Sequence, residues 1–207
     1  MILLIAILAG LLVGQLRARL AGSTWQAPQL HHTWLVLVAF LPQFFAFYLP
    51  ASRNHIPDTL AAVCLVSSQV GLLIFCLLNR HQSGIVILGI GLFLNLLVIS
   101  ANGGFMPLSM ETAAQLIPEH IFRDIKIGSR LGASSKDIFL PFDDMVFPWL
   151  SDRFPAWFPY RFAFSIGDLF ISLGAYLVFA TQSGSMILRQ NQKIKRKAGL
   201  NANESIN

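Results

Sequence analysis

The sequence predicts an all-α membrane fold: five transmembrane helices in a bundle, with a long, partly helical extracytoplasmic loop between the fourth and fifth. Three observations carry that expectation. Apolar stretches recur at residues 1–16, 33–50, 58–79, 84–102 and 162–182. Each approaches the length that crosses a hydrocarbon core of roughly 30 Å at about 1.5 Å of helix per residue. The 207 residues are 55% hydrophobic and only 12% charged, whereas ordinary soluble domains carry roughly 25% charged residues. A soluble core of this size could not hide so much apolar surface. Finally, basic residues are distributed asymmetrically between alternate connections.

The first stretch begins at Met1, and its charges, Arg17 and Arg19, follow it. A cleaved leader has the opposite polarity, so a retained helix with its start outward is expected. Ala6, Gly10 and Gly14 recur every four residues along it. Such a small-residue stripe lets a neighbouring helix approach closely, either within the bundle or in another subunit.

Charge sets the orientation of the remaining elements. With Arg17 and Arg19 inside, Arg53 lies in the outer turn at 51–57 and Arg80 in an inner turn at 80–83. The long connection 103–161 balances six basic residues against seven acidic ones. Arg189, Lys193, Lys195, Arg196 and Lys197 crowd a tail at 183–207, expected to be cytoplasmic and disordered. A juxtamembrane basic cluster marks the cytoplasmic leaflet rather than a nucleic-acid partner. Residues 1–182 are thus expected to form one membrane domain, N-terminus out and C-terminus in, in the cell membrane. Cys64 and Cys76 lie in one helix, roughly 18 Å apart along its axis, beyond disulfide reach.

Polar side chains inside the spans are the candidate site. Gln43, Asn95 and Asp168 each fall about seven residues from an outer boundary, a depth of roughly 10 Å. Gln69 lies deeper, and Asn102 stands at the rim. Amides and carboxylates at depth turn inward and find partners. Pro42 frees a helical carbonyl at the same level. Asp168 has two readings: a proton, cation or substrate contact, or a structural acid. In the second, Ser165-Ile166-Gly167-Asp168 starts the last helix later than the apolar run does, and Asp168 caps it.

The loop opens with Gly103 and Gly104, which permit a sharp turn, then Met106 and Pro107, an extended exit. Ser109–Leu116 reads as a short N-capped helix, and the polar Gly/Ser-containing segment 126–137 as mobile. Between 138 and 162, nine aromatics alternate with Pro141, Pro148, Pro155 and Pro159. Such rings favour the headgroup zone, predicting a half-embedded cover over the helix ends. Asp143, Asp144 and Asp152 are expected as solvated surface acids, the alternative being a cation site shared with Asp168. No metal-ligand spacing, phosphate loop or nucleophile elbow occurs, so neither cofactor, metal nor catalytic activity is expected.

The glycine-rich first helix, the Ala101-Asn102-Gly103-Gly104-Phe105-Met106-Pro107 turn and the Ser165–Asp168 step resemble an uncharacterised family of small bacterial polytopic membrane proteins, domain of unknown function 5317. The resemblance covers most of residues 1–182 and implies fold and membrane location, not an activity. The expected partners are the lipid bilayer and other membrane subunits or a second copy of the chain. A non-enzymatic accessory or scaffold subunit is the leading expectation. The alternative is a small transporter or ligand-binding protein built around Asp168.

Overall fold

A computed structural model describes residues 2–157 and 160–181. The basic tail predicted at 183–207 lies outside the described residues. The fold is mostly helical. Three helices are long and apolar enough to cross a membrane: α1 (Ile2–Leu20), α4 (Asp58–Leu78) and α5 (Ser83–Ala101). Two apolar helices are shorter: α2 (Trp34–Gln43), which runs on into a π-helical turn at Phe44–Tyr48, and α8 (Ile166–Ala180). α3 (Pro50–Arg53) is a single turn between α2 and α4.

Local chemistry explains where the observed ends differ from the apolar runs. α1 continues four residues past the expected boundary because Arg17 and Arg19 favour a helix C-terminus. Gly22 then turns left-handed (φ +60°), and the amides of Gly22 and Ser23 donate to Arg19 and Ala18 carbonyls. In α2, Pro42 cannot donate, the ladder widens into the π turn directly after it, and extended Leu49 ends the helix. α8 starts at Ile166, four residues later than its apolar run, because Ser165 caps it. Phe162–Phe164, expected as helix, is instead strand β4.

The helices pack in the spatial order α1, α8, α5, α4, α2. The tightest seam joins α5 and α8. Gly84 and Gly91 on one helix and Gly167 and Gly174 on the other leave no room for a side chain. A Cβ at Gly84 would stand 2.7 Å from the Val178 amide nitrogen, and one at Gly174 would meet the Gly84 carbonyl at 2.6 Å. On the other flank of α8, a Cβ at Gly10 of α1 would come within 2.6 Å of the Tyr176 carbonyl oxygen. Gly14 likewise faces Phe179, whose carbonyl accepts the Trp25 indole N–H at 3.1 Å. Backbones in contact gain dispersion without needing a hydrophobic drive between helices.

The segment between α5 and α8 folds as a cap, and it contains β structure that the sequence reading lacked. β1 (Met106–Ser109) pairs in parallel with β2 (Asp137–Leu140), and β3 (Phe154–Ala156) pairs antiparallel with β4. Ser109 caps α6 (Met110–Leu116) by accepting the Thr112 amide, and α7 (Glu119–Phe122) follows. Phe139, expected among the headgroup-facing rings, instead fills the cap core with Leu108 and Ala113. A second cluster (Phe47, Leu65, Val98, Ile99, Phe105 and Met106) fastens the cap to the helices.

The 126–137 segment, expected to be mobile, is bolted down by Arg130. Its side chain is only 5% exposed. The guanidinium lies over the Phe105 ring (4.9 Å) and the Phe47 ring (5.4 Å), and donates to the Ala133 carbonyl at 2.7 Å. Stacking on two rings offsets part of the cost of burying a cation.

Candidate functional site

A polar assembly forms where the cap meets α5 and α8. Ser165 and Asp168 build a capping box: the Asp168 amide donates to Ser165 Oγ at 3.0 Å, and the Ser165 amide donates to Asp168 Oδ2 at 3.1 Å. Asn95 of α5 closes the ring from the facing helix. Its Nδ2 donates to Asp168 Oδ1 at 2.9 Å, and its Oδ1 accepts the Ser165 hydroxyl at 3.0 Å. Each Asp168 oxygen therefore has a donor. Gly167 makes this possible, because a Cβ there would collide with the Asn95 amide.

Gln43 takes a different partner. Ser68 of α4 donates both to the Ala39 carbonyl and to Gln43 Oε1 (3.3 Å), tying α2 to α4. Gln69, one residue on, has a buried Oε1 with no hydrogen bond among the described residues. Asn102 clamps the cap: its Nδ2 donates to the Val146 and Val98 carbonyls, both at 2.8 Å, and its Oδ1 accepts the Val146 amide at 2.9 Å. The rim turn sets that clamp. Gly103 and Gly104 have φ of +75° and +88°, and the Gly104 amide donates to Ile99 O at 2.8 Å. Met106 and Pro107 then enter β1, buried.

Four of the five candidate residues thus divide among three hydrogen-bonded groups, and Gln69 joins none of them among the described residues. Asn95 joins Asp168, Gln43 joins Ser68, and Asn102 joins the cap backbone.

Above the Asn95 ring the cap contributes two further acids. Asp152 bridges to Leu108 beside β1, its amide donating to the Pro107 carbonyl at 3.3 Å. Asp137 opens β2 opposite Met106. Asp137, Asp152 and Asp168 lie within Coulombic reach of one another. Burial pushes the Asp137 carboxyl up to about 6; Lys136 opposes the rise and Asp168 adds to it. Asp152 rises well above the usual carboxylate range, through burial first and then through Asp137 and Asp168. Its Oδ1 is buried without a hydrogen-bond partner among the described residues. The expectation of a solvated Asp152 is therefore corrected: pairing beside β1 draws it inward, whereas Asp143 and Asp144 sit exposed on a 3₁₀ turn.

Sequence reasoning missed Asp137 and Arg130. Both stand in a Gly/Ser-containing stretch whose composition signals a loop, and only the pairing of β2 with β1 turns them inward. Among the described residues, no group of three or more His, Cys, Asp or Glu side chains is arranged to hold a metal ion.

The model of a family of unknown function, DUF5317, matches residues 28–180. The chain belongs to this family. The match takes in α2 through α8, hence the Asn95 ring, the Asn102 clamp and the whole cap. Comparison with curated proteins and with solved structures finds no match.

Proposed function

We propose that this DUF5317 member is a five-crossing integral protein of the cell membrane, N-terminus out and C-terminus cytoplasmic. In this reading it serves as a non-enzymatic accessory or scaffold subunit, and the cap presents an outer surface to a partner. The placement of α8 supports five crossings. It is 15 residues long, yet it packs between α1 and α5, each long enough to span. α2 packs on α4 in the same way. A short helix held between two spanning helices shares their solvent. The aromatic rim supports the cap's position: Trp149, Trp157 and Tyr160 are 60–71% exposed, as suits rings at a headgroup boundary.

The observation that carries the scaffold reading is the closed ring around Asp168. Both carboxylate oxygens are spent on Asn95 and Ser165, so the acid locks two helices together rather than lining an opening. A carrier built on Asp168 would have to break both hydrogen bonds to its carboxylate to expose it.

Purification of the full chain in several mild detergents, with crosslinking in the membrane beforehand, tests the role. Recovery with a stoichiometric membrane partner, or as a crosslinked oligomer, is the expected result. A lone monomer under every condition overturns it. Impermeant thiol reagents test the orientation on intact cells: Ser134→Cys in the cap should label from outside, and Gln192→Cys in the tail should label only after lysis. The reverse pattern sinks the topology.

A further inference from the structure

A cavity of about 320 Å³ opens in the cap between the α6–α7 corner, the β1–β2 pair and β4. Leu108, Ile117, Phe139 and Phe162 give it apolar walls, and two charged side chains, Asp137 and Arg161, join the lining. Neither charge is paired among the described residues. The Asp137 backbone bonds to Ser135, but its carboxylate has no hydrogen bond or ion pair among the described residues. Arg161 is exposed and has none either. Other cap cations differ: Arg123 pairs with Glu119, Arg130 stacks on Phe47 and Phe105, Lys136 covers Tyr48 and Arg153 covers Trp149.

The charge around the cavity is polarised. Asp152 and Asp168 lie within Coulombic reach of Asp137, and Lys136 opposes Asp168 there with the stronger effect. Asp137 therefore offers the cavity a site for a cation and Arg161 one for an anion, and apolar side chains complete the lining. Guanidinium matches a carboxylate in bidentate geometry. The volume lies at the small end of ligand cavities, which run from roughly 300 to 1,000 Å³. It suits one compact apolar group rather than two acyl chains.

We propose that this cavity binds a small zwitterion with an apolar body, a hydrophobic α-amino acid being the simplest, its ammonium on Asp137 and its carboxylate on Arg161. Burial holds the Asp137 carboxyl at about 6 in spite of Lys136; a bound ammonium adds a directly paired counter-ion and favours the ionised form. The alkyl or aryl side chain leaves water for the Leu108–Phe139–Phe162 wall.

Titration calorimetry on the detergent-solubilised full chain at pH 7.5 tests the site, with L-leucine, L-phenylalanine, glycine, isopentylamine and a short-chain phosphatidylethanolamine as probes. Saturable binding of leucine or phenylalanine, with glycine at least about tenfold weaker, is expected, since losing the buried apolar group removes more than about 1.4 kcal/mol. Arg161→Gln lies at an exposed position and should leave the fold intact. It should weaken leucine about tenfold while leaving isopentylamine, which lacks the carboxylate, unchanged. Asp137→Asn should weaken both. Absence of saturable amino-acid binding overturns the proposal. So does equal leucine affinity in Arg161→Gln, and so does saturable binding of the phospholipid alone, which would assign the charges to a headgroup.

Discussion

Asp168, at the head of α8, and Asp152, in the cap just above it, are near neighbours that meet burial in opposite ways. The seam between α5 and α8 gives Asp168 a donor for each oxygen and lets glycines bring the backbones together. The cap encloses Asp152 and leaves Oδ1 with nothing to accept. A satisfied acid fixes geometry and adds stability, whereas an orphaned one costs stability. The seam is therefore the part of this molecule that holds, and the cap is the part built at a cost. Buried strain of the second kind is characteristic of regions kept for something other than stability.

The largest effect that could break this contrast comes from the seam itself. Gly174→Leu places a side chain where only backbone of α5 is available to yield. We expect a loss of about 3 kcal/mol or a failure to fold, read as thermal unfolding of the solubilised chain. A change under 1 kcal/mol would mean that α5 and α8 do not meet as described. Next comes Asn95→Ala, which strands the Ser165 hydroxyl and Asp168 Oδ1 together and should cost about 2 kcal/mol. Removing the Ser165 hydroxyl in that background should then cost only its cap on the Asp168 amide, about 1 kcal/mol, because its bond to Asn95 is already lost.

The smallest effect has the opposite sign. Asp152→Asn should stabilise the protein by about 1 kcal/mol at pH 7.5, since it removes an ionisable group that burial disfavours. Its pH dependence follows from linkage. A carboxyl whose folded pKa is raised holds its proton more tightly when folded, so its contribution to stability is most favourable below the unfolded value and falls as pH rises. For Asp137 that window runs from 3.8 to about 6; for Asp152 it opens at 3.8 and runs upward. The gain from Asp152→Asn should therefore vanish in melts below about pH 4 and grow as pH rises above that. A gain independent of pH would remove the acid from the explanation.

The sequence made some of this legible and concealed the rest for reasons of distance along the chain. Ser165 to Asp168 is a local pattern, so a capped α8 beginning after the apolar run could be anticipated. The Asn102-Gly103-Gly104 turn was visible for the same reason. Asn95 was flagged only as a deep amide, because its partners lie 70 and 73 residues on. Gly84 and Gly91 share a spacing of seven with Gly167 and Gly174. That repeat becomes a seam only when α5 and α8 are known to be neighbours. The four strands escaped notice because each has only three or four residues, too few for alternation to rise above a loop rich in proline and aromatics.

The placement of α8 has a consequence for how this protein is made. α1 leaves the ribosome first, yet the helix that covers its Gly10–Gly14 face is the last described one. Everything between them, cap included, is synthesised before that face finds its neighbour, since chains emerge N-terminal end first. α8 therefore behaves as a keystone. A chain stopped short of residue 166 would leave both α1 and the glycine groove of α5 without a partner. Synthesis of α8 and closure of the helix order are thus coupled.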